Sequence, residues 1–366
     1  MARVTVIGAG VAGLTAALYA TTAGHQVVVL DRTARLGGRA TSEHVNGVPF
    51  GFGPHLMLNN GPLAKVVKKI SRLNMVTAPL RIDRLYVAGI GMLRPRGDVR
   101  TAAAHRSALR AARREEPIVQ AARLLSGMGC PVGSDERTRA LLKQRLNAIG
   151  EGWAGVVGRM AAALDEVGVL IEPSSEVEGI EGRTVVLSDG RRFESDAIVV
   201  ACGWRRARSL LKPMMKEALP QLVPVKASTL DVQITSQPLG ERHAVVDVER
   251  HGVVLDLARI QPRTGVDGSL LSAAAFERAG ETAEERTQRL MALMDAHALG
   301  WRERTVEQRL QTSITVQTSG NKPTFDALAG QGLMLAGEWV ASPHHLSDAA
   351  ALTGQMAGRH IAKALP

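Results

Sequence analysis

The sequence predicts an α/β fold in which a parallel sheet flanked by helices carries a second domain of mixed sheet and helices, and three observations lead there. Residues 3–7 are a short apolar run, 11–23 are apolar at helical spacing and Gln26 to Leu30 is a second apolar run, so the chain opens on a βαβ unit. Such a unit closes into a parallel sheet through a right-handed crossover. Strand-like runs return far downstream, at Ala197 to Ala201 and Gly332 to Ala336, where they can rejoin that sheet. Finally, 366 residues exceed the usual size of one domain, which favours two.

In chain order, the stretch 101–126 is rich in Ala, Arg and Leu at helical spacing, and 136–149 reads the same way, so a helical segment is expected across roughly 100–150. A helix follows from Val156 to Val167, then short strands at Val169–Ile171 and Val185–Leu187, the turn Ser188-Asp189-Gly190, and the strand at Ala197. Residues 223–275 hold β-like runs, among them Ser228 to Ile234 and Gly252 to Leu257, and a helix is expected from Ala283 to His297. The final helix spans about 348–363. No internal repeat, low-complexity tract or long linker interrupts the pattern.

Composition narrows the function classes. The hydrophobic content of 45% is ordinary, and no apolar run reaches the length of about 18 residues that a membrane helix needs. The first strand starts after only a few residues, which leaves no room for a signal peptide, so a cytoplasmic location is expected. Cys130 and Cys202 are too few for a disulfide framework and lack zinc-site spacing. The net charge of +10 invites a nucleic-acid reading, but the basic residues are dispersed and aromatics for base stacking make up only 3%. No nucleic-acid partner and no metal are expected.

Gly8-Ala9-Gly10-Val11-Ala12-Gly13 lies between the first strand and its helix, where a Rossmann-type dinucleotide site needs it. The first glycine permits a tight turn, the second lets backbone approach a pyrophosphate, and the third lets helix and strand pack closely. The helix N-terminus offers free N–H groups and the positive end of its dipole. Asp31 ends the second strand, placed to accept from a ribose hydroxyl pair, with Arg32 beside it.

Arg35-Leu36-Gly37-Gly38-Arg39 follows directly, and Gly51-Phe52-Gly53-Pro54-His55-Leu56 comes shortly after. Here the chain resembles the flavin amine oxidase and phytoene desaturase superfamily. In that family a double glycine followed by a cation meets the pyrophosphate, a role that suits Arg39 with its fixed charge, and a segment like Gly53-Pro54-His55 runs beside the flavin ring. Ser175-Glu176-Val177-Glu178-Gly179-Ile180 resembles the segment whose valine, here Val177, pairs its backbone with adenine. Leu335-Ala336-Gly337-Glu338-Trp339 is similar to the family's Ala-Gly-Asp/Glu, whose acid lies near the ribityl and phosphate groups. Asp348-Ala349-Ala350-Ala351-Leu352-Thr353-Gly354 resembles Glu-Gly-Ala-x-x-Ser-Gly, which starts the last helix under the flavin pyrimidine; Asp348 for Glu and Ala349 for Gly are departures.

The resemblance implies a discontinuous Rossmann-type FAD-binding domain (1–85, 151–222 and 320–366) and a substrate or cap domain of mixed sheet and helices (86–150 and 223–319). It also implies non-covalent FAD and hydride removal from a C–C or C–N bond of a small or medium metabolite, as in desaturases, dehydrogenases and oxidases. Two alternatives stay open: an amine oxidase proper, which usually cages its amine with aromatics that are scarce here, Trp339 being the one well placed; and a flavin-dependent isomerase without net oxidation.

Lys226 opens a strand where amine oxidases often hold a water near the flavin, against the plainer reading of an exposed strand lysine. His55 suits a flavin or substrate contact, or a general base. His344 and His345 lie in the loop before the last helix, lining the site or simply solvated; metal binding by the pair lacks a third ligand. Leu210 to Lys216, apolar with flanking cations, suits either a membrane-surface contact that admits a lipophilic substrate or a short packed helix. The two cysteines are expected to be unreactive.

Overall fold

A computed structural model describes residues 1–52, 55–71, 75–92, 117–129, 134–143, 145–214, 220–261 and 267–365. Cys130, Gly53, Pro54, Met215 and Lys216 therefore lie outside the described residues, as does most of the expected helical stretch at 101–126, of which Pro117–Gly127 is helical.

Short apolar strands with both faces covered build a five-stranded parallel sheet in the spatial order Leu170–Glu172, Gln26–Leu30, Arg3–Ile7, Ala197–Val200, Leu333–Leu335. Val6 lies beside Val29 on one side and Val199 on the other, and all three are buried. Near-continuous Val, Ile and Leu runs are what a doubly covered parallel sheet requires. From the central strand the chain crosses to Gln26–Leu30 on one side, while Ala197–Val200 returns on the other. The strand order thus reverses at the central strand, beside Gly8 and Ala201, and at the carboxyl ends of the strands such a switch point is where open α/β sheets bind ligands.

Helix Val11–Thr22 covers this sheet, and the last helix, Leu346–Ala364, packs on it. Glycines bring the two together. A Cβ on Gly354 would sit 2.2 Å from Ala12 O, and one on Gly358 would sit 2.6 Å from Ala16 O, so only hydrogen fits at either position.

The second large sheet has seven strands in the order Thr305–Ser319, Val223–Ile234, Ser269–Phe276, Gly252–Asp256, Ala244–Asp247, Leu85–Val87, Gly91–Met92. Helix Ala283–His297, opened by a capping box between Thr282 and Glu285, packs Leu290, Leu293 and Met294 against one face. Phe50, Leu56, Leu125 and Leu141 belong to the apolar cluster on the other face.

The element reading holds for both opening strands, the helix between them and the helix 283–297. It fails at 136–149, where the helix stops at Leu142 and Leu146–Ile149 is a fully buried strand between Leu56–Leu58 and Thr77–Pro79. Four consecutive buried positions do not distinguish strand from helix by period; tertiary pairing decides. The hairpin Ser42–Val45/Val48–Gly51 went unread although Asn46-Gly47 marks it, with φ of 47° and 87° as a tight hairpin turn demands.

Candidate functional site

The glycine loop is shaped from behind and left bare in front. Gly8 has φ 110°, and a Cβ there would meet the Ala201 carbonyl carbon at 2.9 Å; a Cβ on Gly13 would lie 1.8 Å from Gly8 O. These two glycines answer to packing. Gly10 and Gly38 differ: a Cβ on Gly10 would meet only Gly37 O, at 3.7 Å, and one on Gly38 only the Gly10 Cα, at 3.8 Å. Gly10 and Gly37 form a parallel bridge, with Gly37 N–H donating to Ala9 O at 2.8 Å, so both glycine segments share one face. No side chain caps helix Val11–Thr22. The first-turn N–H groups of Val11, Ala12 and Gly13 therefore have no capping partner from their own N-cap residue and face the same loop.

Asp31 is engaged with this loop. Its Oδ2 accepts from Ala9 N–H at 2.8 Å, and its Oδ1 accepts from Thr33 N–H at 2.9 Å and Thr33 Oγ1 at 2.8 Å. It fixes the turn as well as ending the strand. Arg32 is exposed beside it.

From the far end of the chain, Glu338 reaches the second glycine segment. Arg39 Nη2 donates to Glu338 Oε1 at 3.0 Å, and Nη1 donates to Val316 O at 3.1 Å. Glu338 is buried and also accepts Thr318 N–H and Oγ1, at 3.0 and 3.1 Å, with Lys322 Nζ 3.6 Å away. Arg39 keeps 47% of its side chain exposed, so its charge still faces outward. Gly337, at φ 147°, donates its N–H to Thr353 Oγ1 at 2.9 Å, which joins this segment to the first turns of the last helix.

That helix begins in strain: Leu346 adopts φ 55°, costly for a side chain of its size, and His345 supplies no side-chain cap. Ala349 is buried and Ala350 half-buried in its first turns, with ordinary helical backbone at the position where the resemblance has glycine. Asp348 turns inward instead of toward the loop. Its carboxylate is fully buried, accepts Leu58 N–H at 3.1 Å and Leu63 N–H at 3.3 Å, and lies 3.6 Å from Arg137 Nη1. Burial pushes this carboxyl up, and the Arg137 charge pulls it back. Arg137 also donates to Leu56 O at 2.9 Å and Ser126 O at 2.7 Å, while Leu56 itself is buried. Val177 is buried at the start of its strand, and its carbonyl accepts from Arg206.

Of the four candidate catalytic residues His344 and His345 adjoin each other, whereas His55 and Lys226 stand on other parts of the fold. His55 is buried, its Nδ1 3.5 Å from Gln261 Nε2 and its Nε2 3.4 Å from Ser272 Oγ. Burial first, then the charge of Arg309, lowers its pKa to about 4. Lys226 is half-exposed, with Nζ 3.6 Å from Glu277 Oε1. His344 Nδ1 lies 3.0 Å from Glu136 Oε2, and His345 is held below the usual histidine range by burial and then Lys322 and Arg137.

Trp339, the one aromatic well placed by sequence for an amine cage, is fully buried: its indole N–H donates to Cys202 O at 2.9 Å and its ring lies 5.2 Å from that of Trp204. Its neighbours are the apolar residues behind the sheet. Burial raises the Cys202 thiol to about 12, as expected of an unreactive thiol. Leu210 and Leu211 are buried on helix Trp204–Leu211, which favours packing over membrane contact for that part of the segment. Among the described residues no group of three or more His, Cys, Asp or Glu is placed to hold a metal, and no helix is long and apolar enough to cross a membrane. Sequence reasoning missed Arg137, Arg309 and Asp231, each buried and paired with a residue distant in sequence.

A carotenoid 3,4-desaturase from Haloarcula japonica is 47% identical over 51 residues, 14% of this chain and 10% of the desaturase. An oxidoreductase from Methanosarcina mazei shares the fold at a TM-score of 0.75 and 17% identity, covering 97% of this chain and 99% of its own. Cyclohexylamine oxidase from Brevibacterium oxydans matches at a TM-score of 0.69 and 17% identity over 100% of this chain and 99% of its own. The model of the FAD dependent oxidoreductase (DAO) family matches residues 3–364, nearly the whole chain. With its glycine loops, Asp31, Arg39 and Glu338 gathered at the carboxyl end of a parallel sheet, the chain belongs to the FAD dependent oxidoreductase family.

Proposed function

We propose that the cradle formed by Gly8–Gly13, Gly37–Arg39, Gly337–Glu338 and the start of the last helix holds FAD without a covalent link. The enzyme would then remove a hydride from a C–C or C–N bond of a small or medium metabolite. The observation that carries this reading is the meeting of Arg39 with Glu338 beside the Gly10–Gly37 bridge, which gathers distant stretches onto one bare backbone face. The residues fit the group: the open Cα faces of Gly10 and Gly38 admit an extended diphosphate, the uncapped helix offers N–H donors, and half-exposed Arg39 offers a cation. When bound, FAD supplies the hydride acceptor. The protein's part is to bind, orient and exclude water.

On this reading the cofactor domain comprises 1–85, 151–222 and 320–366, and the substrate domain 86–150 and 223–319. The division is supported by the two large sheets, which draw their strands from those separate stretches apart from Leu85, at the boundary, which opens a strand of the seven-stranded sheet. His55 acts as a neutral hydrogen-bonding group, because a pKa of about 4 makes it a weak base. The burial of Trp339 removes the one aromatic available by sequence for an amine cage, which favours desaturase or dehydrogenase chemistry over an amine oxidase proper. The test is to add FAD to purified protein and then titrate candidate metabolites without oxygen. A yellow complex that bleaches supports the reading, product without bleaching indicates isomerisation, and protein that takes up no FAD refutes it.

A further inference from the structure

Arg309 is a buried cation that the cofactor site does not use. It sits on the edge strand Thr305–Ser319 of the seven-stranded sheet with 8% of its side chain exposed. Its Nη2 donates to Asp231 Oδ2 at 2.6 Å and to Gly51 O at 2.7 Å, and its Nη1 donates to Phe50 O at 3.0 Å. Its guanidinium carbon also lies 4.2 Å from the centroid of the Phe52 ring. On that same ring rests a second guanidinium, Arg35, at 4.6 Å. Arg35 belongs to the segment that leads into Gly37-Gly38-Arg39, and its carbonyl accepts from Thr33 Oγ1, which is itself bonded to Asp31.

A continuous path of contacts therefore runs from the acid that shapes the glycine loop to the acid on the substrate sheet: Asp31, Thr33, Arg35, Phe52, Arg309, Asp231. Two like charges share one ring: Arg309 is fastened from behind by Asp231 and two carbonyls, and Arg35 is exposed to solvent, which screens the repulsion. Cation–π contacts of this kind are strongest where water is excluded, as it is around Arg309.

We propose that Phe52, gripped between Arg35 and Arg309, sets the position of the phosphate-binding glycine segment against the substrate sheet, making Arg35, Phe52 and Arg309 positioning residues for the cofactor. The proposal rests on the FAD reading above. Arg35 is exposed, so Arg35→Ala is expected to lower the melting temperature of the FAD-free protein by no more than about 2 °C. It should nonetheless weaken FAD binding by roughly 2- to 5-fold, the range of one partly exposed cation–π contact. Phe52→Leu removes both contacts and should weaken binding further. Because the two act through one ring, adding Arg35→Ala to Phe52→Leu should cost almost nothing more. Arg309→Lys keeps the charge but cannot reach two carbonyls and a carboxylate together, and should change the shape of the visible flavin band.

The experiment is equilibrium dialysis of FAD against the full-length wild type, the three single variants and the Arg35→Ala/Phe52→Leu double variant, with visible spectra of each complex. Non-additive losses together with an altered band support the stack. Additive losses, or binding and spectra equal to wild type in all variants, overturn it while leaving the FAD reading intact. Wild-type protein that binds no FAD overturns both.

Discussion

Replacing Gly354 by alanine tests how the last helix is held. An added Cβ would lie 2.2 Å from Ala12 O, 3.0 Å from Ala12 C and 3.0 Å from Thr15 Cβ. Backbone atoms cannot rotate away, so the two helices must part by about 1 Å to restore ordinary contact. Overpacking of this kind costs about 1–3 kcal/mol, and the upper part of that range applies because the obstacle is backbone. Alanine recovers up to about 1 kcal/mol of helix propensity over glycine, leaving a net loss of about 1–2 kcal/mol. At about 2 °C per kcal/mol for a large chain, the melting temperature should fall by about 2–4 °C. Gly158, on the exposed face of helix Gly152–Asp165 with nothing within 4 Å of its would-be Cβ, is the control. Gly158→Ala should gain stability through propensity alone. Calorimetry of both variants, with FAD binding measured alongside, decides the matter. If Gly354→Ala melts at or above the wild-type temperature, the close crossing does not constrain the fold and the argument is wrong.

Asp348→Ala should be among the most damaging single substitutions. It strips two backbone N–H groups of their acceptor and leaves buried Arg137 without its nearest counter-charge, Glu136 being the weaker influence that remains. A loss of about 3–5 kcal/mol by urea denaturation is expected, and a loss below about 1 kcal/mol would contradict the assigned pairing. His55 gives a pH signature: with a folded pKa of about 4 against an ordinary 6.5, the native state binds fewer protons than the unfolded state between those values. Stability is complete above pH 6.5 and declines as pH falls toward 4, by on the order of 3 kcal/mol from this group. His243, also at about 4 through burial and then Arg81, adds to the same window. His55→Gln should flatten part of the decline; a denaturation profile as steep as that of the wild type would show that His55 is not its source. Cys202, held near 12, should resist iodoacetamide at pH 8 in the folded protein and react once unfolded, as followed by peptide mass spectrometry.

What could be read from sequence was what local chemistry dictates. Gly8, Gly10 and Gly13 announce themselves because a strand, a tight turn and a helix must follow one another within a few residues, and the parallel strands because both their faces are buried. Arg39 and Glu338 were each singled out by the resemblance as candidate cofactor residues. Their ion pair was not, since 299 positions separate them and nothing local encodes the contact. Asp348 stood where an acidic residue was expected, yet its direction depended on Leu58, Leu63 and Arg137, which only the folded chain brings near. Arg309 and Asp231 left no signal, because a buried pair on adjacent strands reads in sequence as one more arginine and one more aspartate. Leu146–Ile149 was misread for the related reason that pairing partners, rather than period, make it a strand.

The tether between Trp339 and Cys202 has a practical consequence. A tryptophan locked in a dry, fixed pocket against Gly337 emits from one environment, and its emission overlaps flavin absorption. The chain therefore carries its own optical gauge beside Gly337 and Glu338, in the cradle proposed to hold the cofactor. Cofactor loading should quench this indole by energy transfer, so that occupancy can be followed in real time on unlabelled protein. The ring of Trp204 at 5.2 Å shares the excitation, and replacing Trp153, Trp204 and Trp301 by Phe together would leave Trp339 as the single reporter.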